Sequence, residues 1–180
     1  ELFEHLLAGS YQYAYGLAAT NLTGDSKPEI VSADAVAGKL FYYQYQGSGN
    51  FTVSSNVAQN ASGIIERMAV GDIDNDGKLE IVFSTYMNDG MLYALNAEDG
   101  SLLWPFSTGN CNDAAPIIYD VDLDGKPEVI LAGSCVPVTY CLDGATGSIK
   151  WSTPTGGTDS PPSIGDVDND GKPEILHGEF

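Results

Sequence analysis

Positive charge is the scarcest feature of this sequence: 7 Lys and Arg stand against 25 Asp and Glu, a formal net charge of -18 over 180 residues. So acidic a chain excludes nucleic acid and anionic membrane surfaces as partners, because both bind through clustered cations. Cysteine is nearly as rare. Cys111, Cys135 and Cys141 form no CxxC pair and no Cys/His cluster with zinc spacing, so any metal must be held by oxygen. No apolar run approaches the ~20 residues of a membrane span, and no membrane insertion is expected. No basic stretch precedes an apolar one after Glu1, so any secretion leader is expected to have been removed already. Helical periodicity is also missing, apart from Leu2, Phe3, Leu6 and Leu7 before Gly9, which fit one short helix. With 43% hydrophobic residues the chain is apolar enough for one domain with a real core.

What the sequence does have is repetition. Asp72-Ile-Asp-Asn-Asp-Gly-Lys-Leu-Glu80 returns as Asp120-Val-Asp-Leu-Asp-Gly-Lys-Pro-Glu128 and as Asp166-Val-Asp-Asn-Asp-Gly-Lys-Pro-Glu174, with starts 48 and 46 residues apart. A step of 51 residues back from Asp72 reaches an eroded copy, Asn21-Leu-Thr-Gly-Asp-Ser-Lys-Pro-Glu29. A second signature shares the period: Ala94-Leu-Asn-Ala-Glu-Asp-Gly-Ser-Leu-Leu-Trp104 matches Cys141-Leu-Asp-Gly-Ala-Thr-Gly-Ser-Ile-Lys-Trp151 at an offset of 47. Two unrelated motifs on nearly one period define a structural repeat. Short β-branched or aromatic runs fill it, at Ile30–Val31, Leu40–Tyr43, Ile81–Phe83, Met91–Leu95 and Val129–Leu131, and Asp99-Gly100 and Asp143-Gly144 mark turns. Four short strands per ~45 residues is the arithmetic of a β-propeller blade. The expectation is an all-β single domain, 1–180, of four-stranded antiparallel blades with repeats at about 14–65, 66–113, 114–159 and 160–180. The last is partial, and residues 1–13 would complete it, either within the chain, closing a ring, or from a neighbouring copy. A third expectation is that the chain is part of a longer protein.

The acidic loop places carboxylates at positions 1, 3, 5 and 9. Alternate side chains of a tight turn converge, and converging carboxylates repel unless a hard cation lies between them. Calcium suits such a donor set, being bound by six to eight oxygens in flexible geometry. The expected ligands are Asp72, Asp74, Asp76 and Glu80; Asp120, Asp122, Asp124 and Glu128; and Asp166, Asp168, Asp170 and Glu174. The position-7 carbonyls of Lys78, Lys126 and Lys172 are natural additions. Glycine at position 6 relieves the turn, and the aliphatic position 2 (Leu22, Ile73, Val121, Val167) is expected to point into the core. The first copy has Asn21, Thr23, Asp25 and Glu29 at the ligand positions and is expected to bind calcium weakly or not at all. An EF-hand is excluded, because position 12 is Phe83, Leu131 or His177 and the flanks are strand-like. The four loops hold 14 of the 25 acidic residues, twelve in the full copies plus Asp25 and Glu29. Much of the net charge therefore sits where ions would neutralise it.

These loops and the strands after them resemble the FG-GAP/VCBS family of calcium-loop propeller repeats, the type that builds integrin α-subunit heads and many bacterial surface proteins. The stretch from Leu92 to Trp104 is similar to a PQQ-like, quinoprotein-type blade. The resemblance implies calcium at the three full loops, through the aspartates and glutamates just named.

A quinone pocket wants cations, yet Arg67 is the only arginine and four of the six lysines lie in the acidic loops. His5 and His177 are the only imidazoles, and no G-x-S-x-G nucleophile motif occurs. The expected role is therefore a non-catalytic, extracellular calcium-binding module for adhesion or surface structure. Its partners would be other extracellular proteins, glycans or copies of itself. Alternatives are a filament subunit joined head to tail through the incomplete blade, and an accessory propeller of a polysaccharide-active enzyme. Sequons at Asn21, Asn50 and Asn60 accept N-glycans if the host has that machinery, and a glycan on Asn21 would forbid calcium in its loop. Cys111 and Cys135 flank two strands expected to pair, which favours a bridge between them. A Cys135–Cys141 bridge and three reduced thiols stay open.

Overall fold

The computed structural model describes residues 16–34, 39–48, 50–57, 63–86 and 89–179. The short helix expected near Leu2 and the sequon at Asn60 lie outside them. All regular structure among the described residues is strand: β1 (Leu17–Thr20), β2 (Glu29–Asp34), β3 (Lys39–Gly47), β4 (Asn50–Val57), β5 (Ile64–Gly71), β6 (Glu80–Tyr86), β7 (Met91–Asn96), β8 (Leu102–Ser107), β9 (Ile117–Tyr119), β10 (Glu128–Ala132), β11 (Val138–Asp143), β12 (Ile149–Pro154), β13 (Ser163–Gly165) and β14 (Glu174–Leu176). They form three four-stranded antiparallel sheets in chain order, β1–β4, β5–β8 and β9–β12, and a two-stranded sheet, β13–β14. Each four-stranded meander is a propeller blade, and each acidic loop joins a blade's first strand to its second. β5 pairs with β6 from Ile64 opposite Tyr86, so the second unit starts ahead of the boundary expected between 65 and 66.

Single blades are too thin to bury both faces, and burial here is achieved between them. Val31, Leu40 and Tyr42 of the first blade pack with Ile65, Ile81, Phe83, Tyr93 and Leu95 of the second. Val82, Leu92, Ala94 and Trp104 of the second blade pack with Val129, Leu131 and Leu142 of the third. β6 thus reads as a continuous apolar run because neighbours cover both its faces, Ile81 and Phe83 on one side and Val82 on the other. Full burial of a side chain such as Phe83 or Leu92 contributes about 1.5–3 kcal/mol.

Specific contacts then run from the second blade to the third. Trp104 Nε1 donates to the Gly144 carbonyl at 2.7 Å, and Asn75 Nδ2 donates to the Gly125 carbonyl at 2.8 Å. Gly147 sits at φ +67° against the Trp104 ring, where a Cβ would come within 2.7 Å of it, so only glycine fits. The position-2 residues follow the same direction, and here the sequence expectation needs correcting. Leu22 (2% exposed) and Ile73 (1%) are core residues, but Val121 is half-buried and Val167 is 63% exposed. The reason is that the following blade supplies the cover, as the third does for Ile73, and among the described residues only β13 and β14 follow the third blade. Trp151, the repeat equivalent of Trp104, is exposed for the same reason.

Candidate metal centres

All four acidic loops share one backbone. Position 4 is left-handed at Asn75 (φ 62°), Leu123 (61°) and Asn169 (63°), and position 6 at Gly77 (86°), Gly125 (86°) and Gly171 (88°). The first loop keeps both turns with the glycine moved: Gly24 (φ 73°) takes position 4 and Ser26 (69°) position 6. Loop conformation is thus conferred by the hydrogen bonds of the turn even where ligands have been replaced.

The position-9 glutamate anchors each loop. Its Oε2 accepts the position-2 backbone N–H in every copy: Leu22 to Glu29 (2.8 Å), Ile73 to Glu80 (2.9 Å), Val121 to Glu128 (2.9 Å) and Val167 to Glu174 (2.8 Å). Position 1 closes the turn, as the amides of Gly77, Gly125 and Gly171 donate to Asp72 (3.0 Å), Asp120 (2.9 Å) and Asp166 (2.9 Å). Each anchor leaves a second carboxylate oxygen to face the loop centre. Positions 1, 3 and 9 then converge: in Asp72/Asp74/Glu80, Asp120/Asp122/Glu128 and Asp166/Asp168/Glu174, one oxygen of each residue lies within 4.8 Å of the others. That span matches oxygens 2.3–2.6 Å from one calcium ion on opposite sides. The position-5 residues Asp76, Asp124 and Asp170 are not part of these triads, and their Oδ1 atoms accept the position-7 amides of Lys78, Lys126 and Lys172 at 2.8 Å. The Lys78 side chain turns outward to Glu98 at 2.7 Å.

The loops differ in what faces their centres. In the loop opening at Asp72, Oδ1 of Asp72 and Oε1 of Glu80 are buried and accept no hydrogen bond. This donor set, hard oxygens with two buried acceptors unused, fits a calcium ion. In the loop opening at Asp120, the Lys150 ammonium lies 2.6 Å from Asp122 Oδ2, 2.7 Å from Glu128 Oε1 and 3.7 Å from Asp124 Oδ2. In the eroded loop Gln44 Nε2 donates to Asp25 Oδ2 at 3.0 Å and reaches Glu29 Oε1 at 3.5 Å. Sequence reasoning singled out neither Gln44 nor Lys150. The signal for Lys150 was present in the second signature, where Ser-Leu-Leu-Trp104 becomes Ser-Ile-Lys-Trp151, a charge replacing Leu103.

Protonation follows these surroundings. Burial, with Asp74, Asp76 and Asp72 adding repulsion, pushes the Glu80 carboxyl up to about 7 although the Ile73 amide opposes the rise. Hydrogen bonds to Asp122 and then Glu128 raise Lys150, and the same contact lowers Asp122. For Glu80 the folded value exceeds the ordinary 4.5, so without a divalent ion its contribution to stability is whole below 4.5 and is lost as the pH rises to about 7. Glu80→Gln keeps an acceptor for Ile73 and removes the charge. In EGTA at pH 8 it is expected to melt above the wild type, by the equivalent of about 2 kcal/mol. In saturating calcium the order reverses, because a ligand carboxylate is gone. Thermal melts at pH 5 and pH 8 check this, and a wild type that melts higher in EGTA at pH 8 contradicts it.

Of the other expected residues, Cys111 and Cys135 form a disulfide with Cα atoms 5.4 Å apart, and Cys141 is a buried free thiol. Asn21 and Asn50 are exposed, the former at the eroded loop and the latter at the start of β4.

Comparison with known proteins agrees with this geometry. A family model described as an FG-GAP-like repeat matches residues 21–83 and 120–177, which include all four loops. No curated protein matches the sequence. Among solved structures the chain is similar to BamB from Moraxella catarrhalis, with a TM-score of 0.57 and 18% identity, over 87% of this chain and 42% of that one. It is also similar to a europium-containing methanol dehydrogenase, with a TM-score of 0.50 and 16% identity, over 83% of this chain and 27% of that one. The chain therefore spans less than half the length of either protein, and at such identity the likeness concerns the fold alone. With more than half of its length, all four acidic loops included, matched by this one model, the chain belongs to the FG-GAP-like repeat family.

Proposed function

We propose that this chain is a calcium-stabilised β-propeller module that works outside the cell in a non-catalytic adhesion or surface-structural role. The observation that carries the reading is the pair of buried, unpartnered oxygens in one loop, Asp72 Oδ1 and Glu80 Oε1, within a carboxylate triad of calcium dimensions. Asp72, Asp74 and Glu80 would hold one ion, and Asp166, Asp168 and Glu174 another. Asp120, Asp122 and Glu128 would hold a third once Lys150 moves aside. Asp76, Asp124, Asp170 and the carbonyls of Lys78, Lys126 and Lys172 would complete the shells. Bound calcium supplies charge neutralisation and rigidity here.

Extracellular modules bind calcium at about 0.1–1 mM, levels met outside cells and not in cytosol. The Cys111–Cys135 disulfide supports the same compartment. Other extracellular proteins, glycans and copies of the chain are the proposed partners. A filament joined end to end is the second reading, favoured by the exposure of Ile149, Trp151, Val167 and Leu176 at the last strands. Calcium binding is tested by equilibrium dialysis in millimolar calcium, where two to three ions per chain are expected; none bound ends the proposal. Light scattering in calcium separates the two readings, a monomer supporting the first and concentration-dependent growth the second.

A further inference from the structure

The three full loops are alike in sequence and unlike in what their carboxylates touch. Lys150 stands on β12 at a register shift: Cys141 pairs with Trp151 and Leu142 with Ile149, leaving Lys150 as the extra residue of a bulge. A bulge re-aims the side chain it carries. Leu103 occupies the same bulge on β8, between the Ala94–Trp104 and Leu95–Leu102 pairs. Leu103 is apolar and packs against the core between blades, so the buried Glu80 Oε1 of its own blade stays without a partner. Lys150 instead lays its ammonium between Asp122 and Glu128, two of the three triad residues, and its side chain is only 27% exposed.

We infer that Lys150 is a built-in cation that competes with calcium for the loop opening at Asp120, making this loop a weaker, later-filling site than the loop opening at Asp72. The inference rests on the calcium reading above and adds an order of filling to it. A divalent ion cannot share Asp122 Oδ2 and Glu128 Oε1 with an ammonium already 2.6 and 2.7 Å from them, so filling the loop requires the lysine to leave. A partly exposed lysine has a flexible stem on which to do so. Without calcium the same ammonium neutralises Glu128, which is 1% exposed, so the loop keeps its shape at low calcium.

The amides of Gly77, Gly125 and Gly171 each donate to the position-1 aspartate of their own loop, so their NMR signals report the loops separately. In a calcium titration of the whole chain, Gly125 is expected to move at roughly tenfold higher calcium than Gly77. Lys150→Met, which keeps most of the stem, is expected to bring Gly125 into the range of Gly77. In EGTA the same variant is expected to melt several degrees below the wild type, with calcium closing the gap. Leu103→Lys, the converse change, is expected to shift Gly77 to higher calcium, and it serves if Lys150→Met does not fold. Equal midpoints for Gly77 and Gly125 in the wild type, or a Gly125 midpoint that Lys150→Met leaves in place, overturn the inference while calcium binding stands. Silence of all three amides in calcium removes the calcium reading and this inference with it.

Discussion

Stripping calcium with EGTA is expected to lower the melting temperature by about 10 °C relative to the same chain in millimolar calcium, an estimate that combines site occupancy with chain length. Each loop filled at ten times its dissociation constant stabilises the folded state by about 1.4 kcal/mol, so two or three loops give about 3–4 kcal/mol. For a chain of this size each kcal/mol moves the midpoint by about 2–4 °C. The loops are placed to transmit that effect. Two of the position-9 glutamates open core strands, Glu80 at the head of β6 and Glu128 at the head of β10, and both are buried. Charge left unbalanced there acts on the blade itself and is little screened by solvent. Magnesium at equal concentration is expected to restore much less, since it holds its water tightly and demands octahedral geometry. Calorimetric melts in calcium, magnesium and EGTA decide the matter, and superimposable curves would refute it.

Reducing the Cys111–Cys135 bond is expected to cost about 3 kcal/mol and to lower the midpoint by about 6–12 °C. The bond closes a loop spanning 24 positions, and the freed unfolded chain gains the entropy of that loop. Its location makes the effect local at first. Cys111 lies in the connection from β8 to β9, Cys135 lies between β10 and β11, and the Cys135 amide also donates to the Cys111 carbonyl at 3.4 Å. The bond therefore clamps the passage from the second blade onto the third, away from the acidic loops. The calcium-induced shift is expected to survive reduction at nearly its full size. Melts with and without reductant, paired with thiol counting, test this. Burial pushes the Cys141 thiol up to about 12, so it should stay unreactive until the chain unfolds. One reactive thiol in the native oxidised protein, or an unchanged midpoint after reduction, would contradict the assignment.

Much of the fold was legible because two motifs keep one period. The acidic loops located the first-to-second strand turn of each blade, and the β-branched runs after them became β2, β6 and β10. The first strands were harder to read. β9 has three residues and β1 is Leu-Ala-Ala-Thr, too short and too mixed to show an alternation. Inter-blade partners were not legible at all, because periodicity says which residues face inward but not which neighbour they meet. Position 2 illustrates this: Leu22 and Val167 share a place in the motif and end at 2% and 63% exposure. The candidate sites divide in the same way. Positions 1, 3 and 9 could be taken from the motif, whereas Lys150 and Gln44 come from other strands and reach the loops only through sheet register.

The contacts from Trp104 to Gly144 and from Asn75 to Gly125 give the joint between the second and third blades a direction, as the second reaches forward with a ring and an amide toward the turn and loop of the third. Such a joint has a hook on one side and an eye on the other. A reversed blade would find nothing to latch onto.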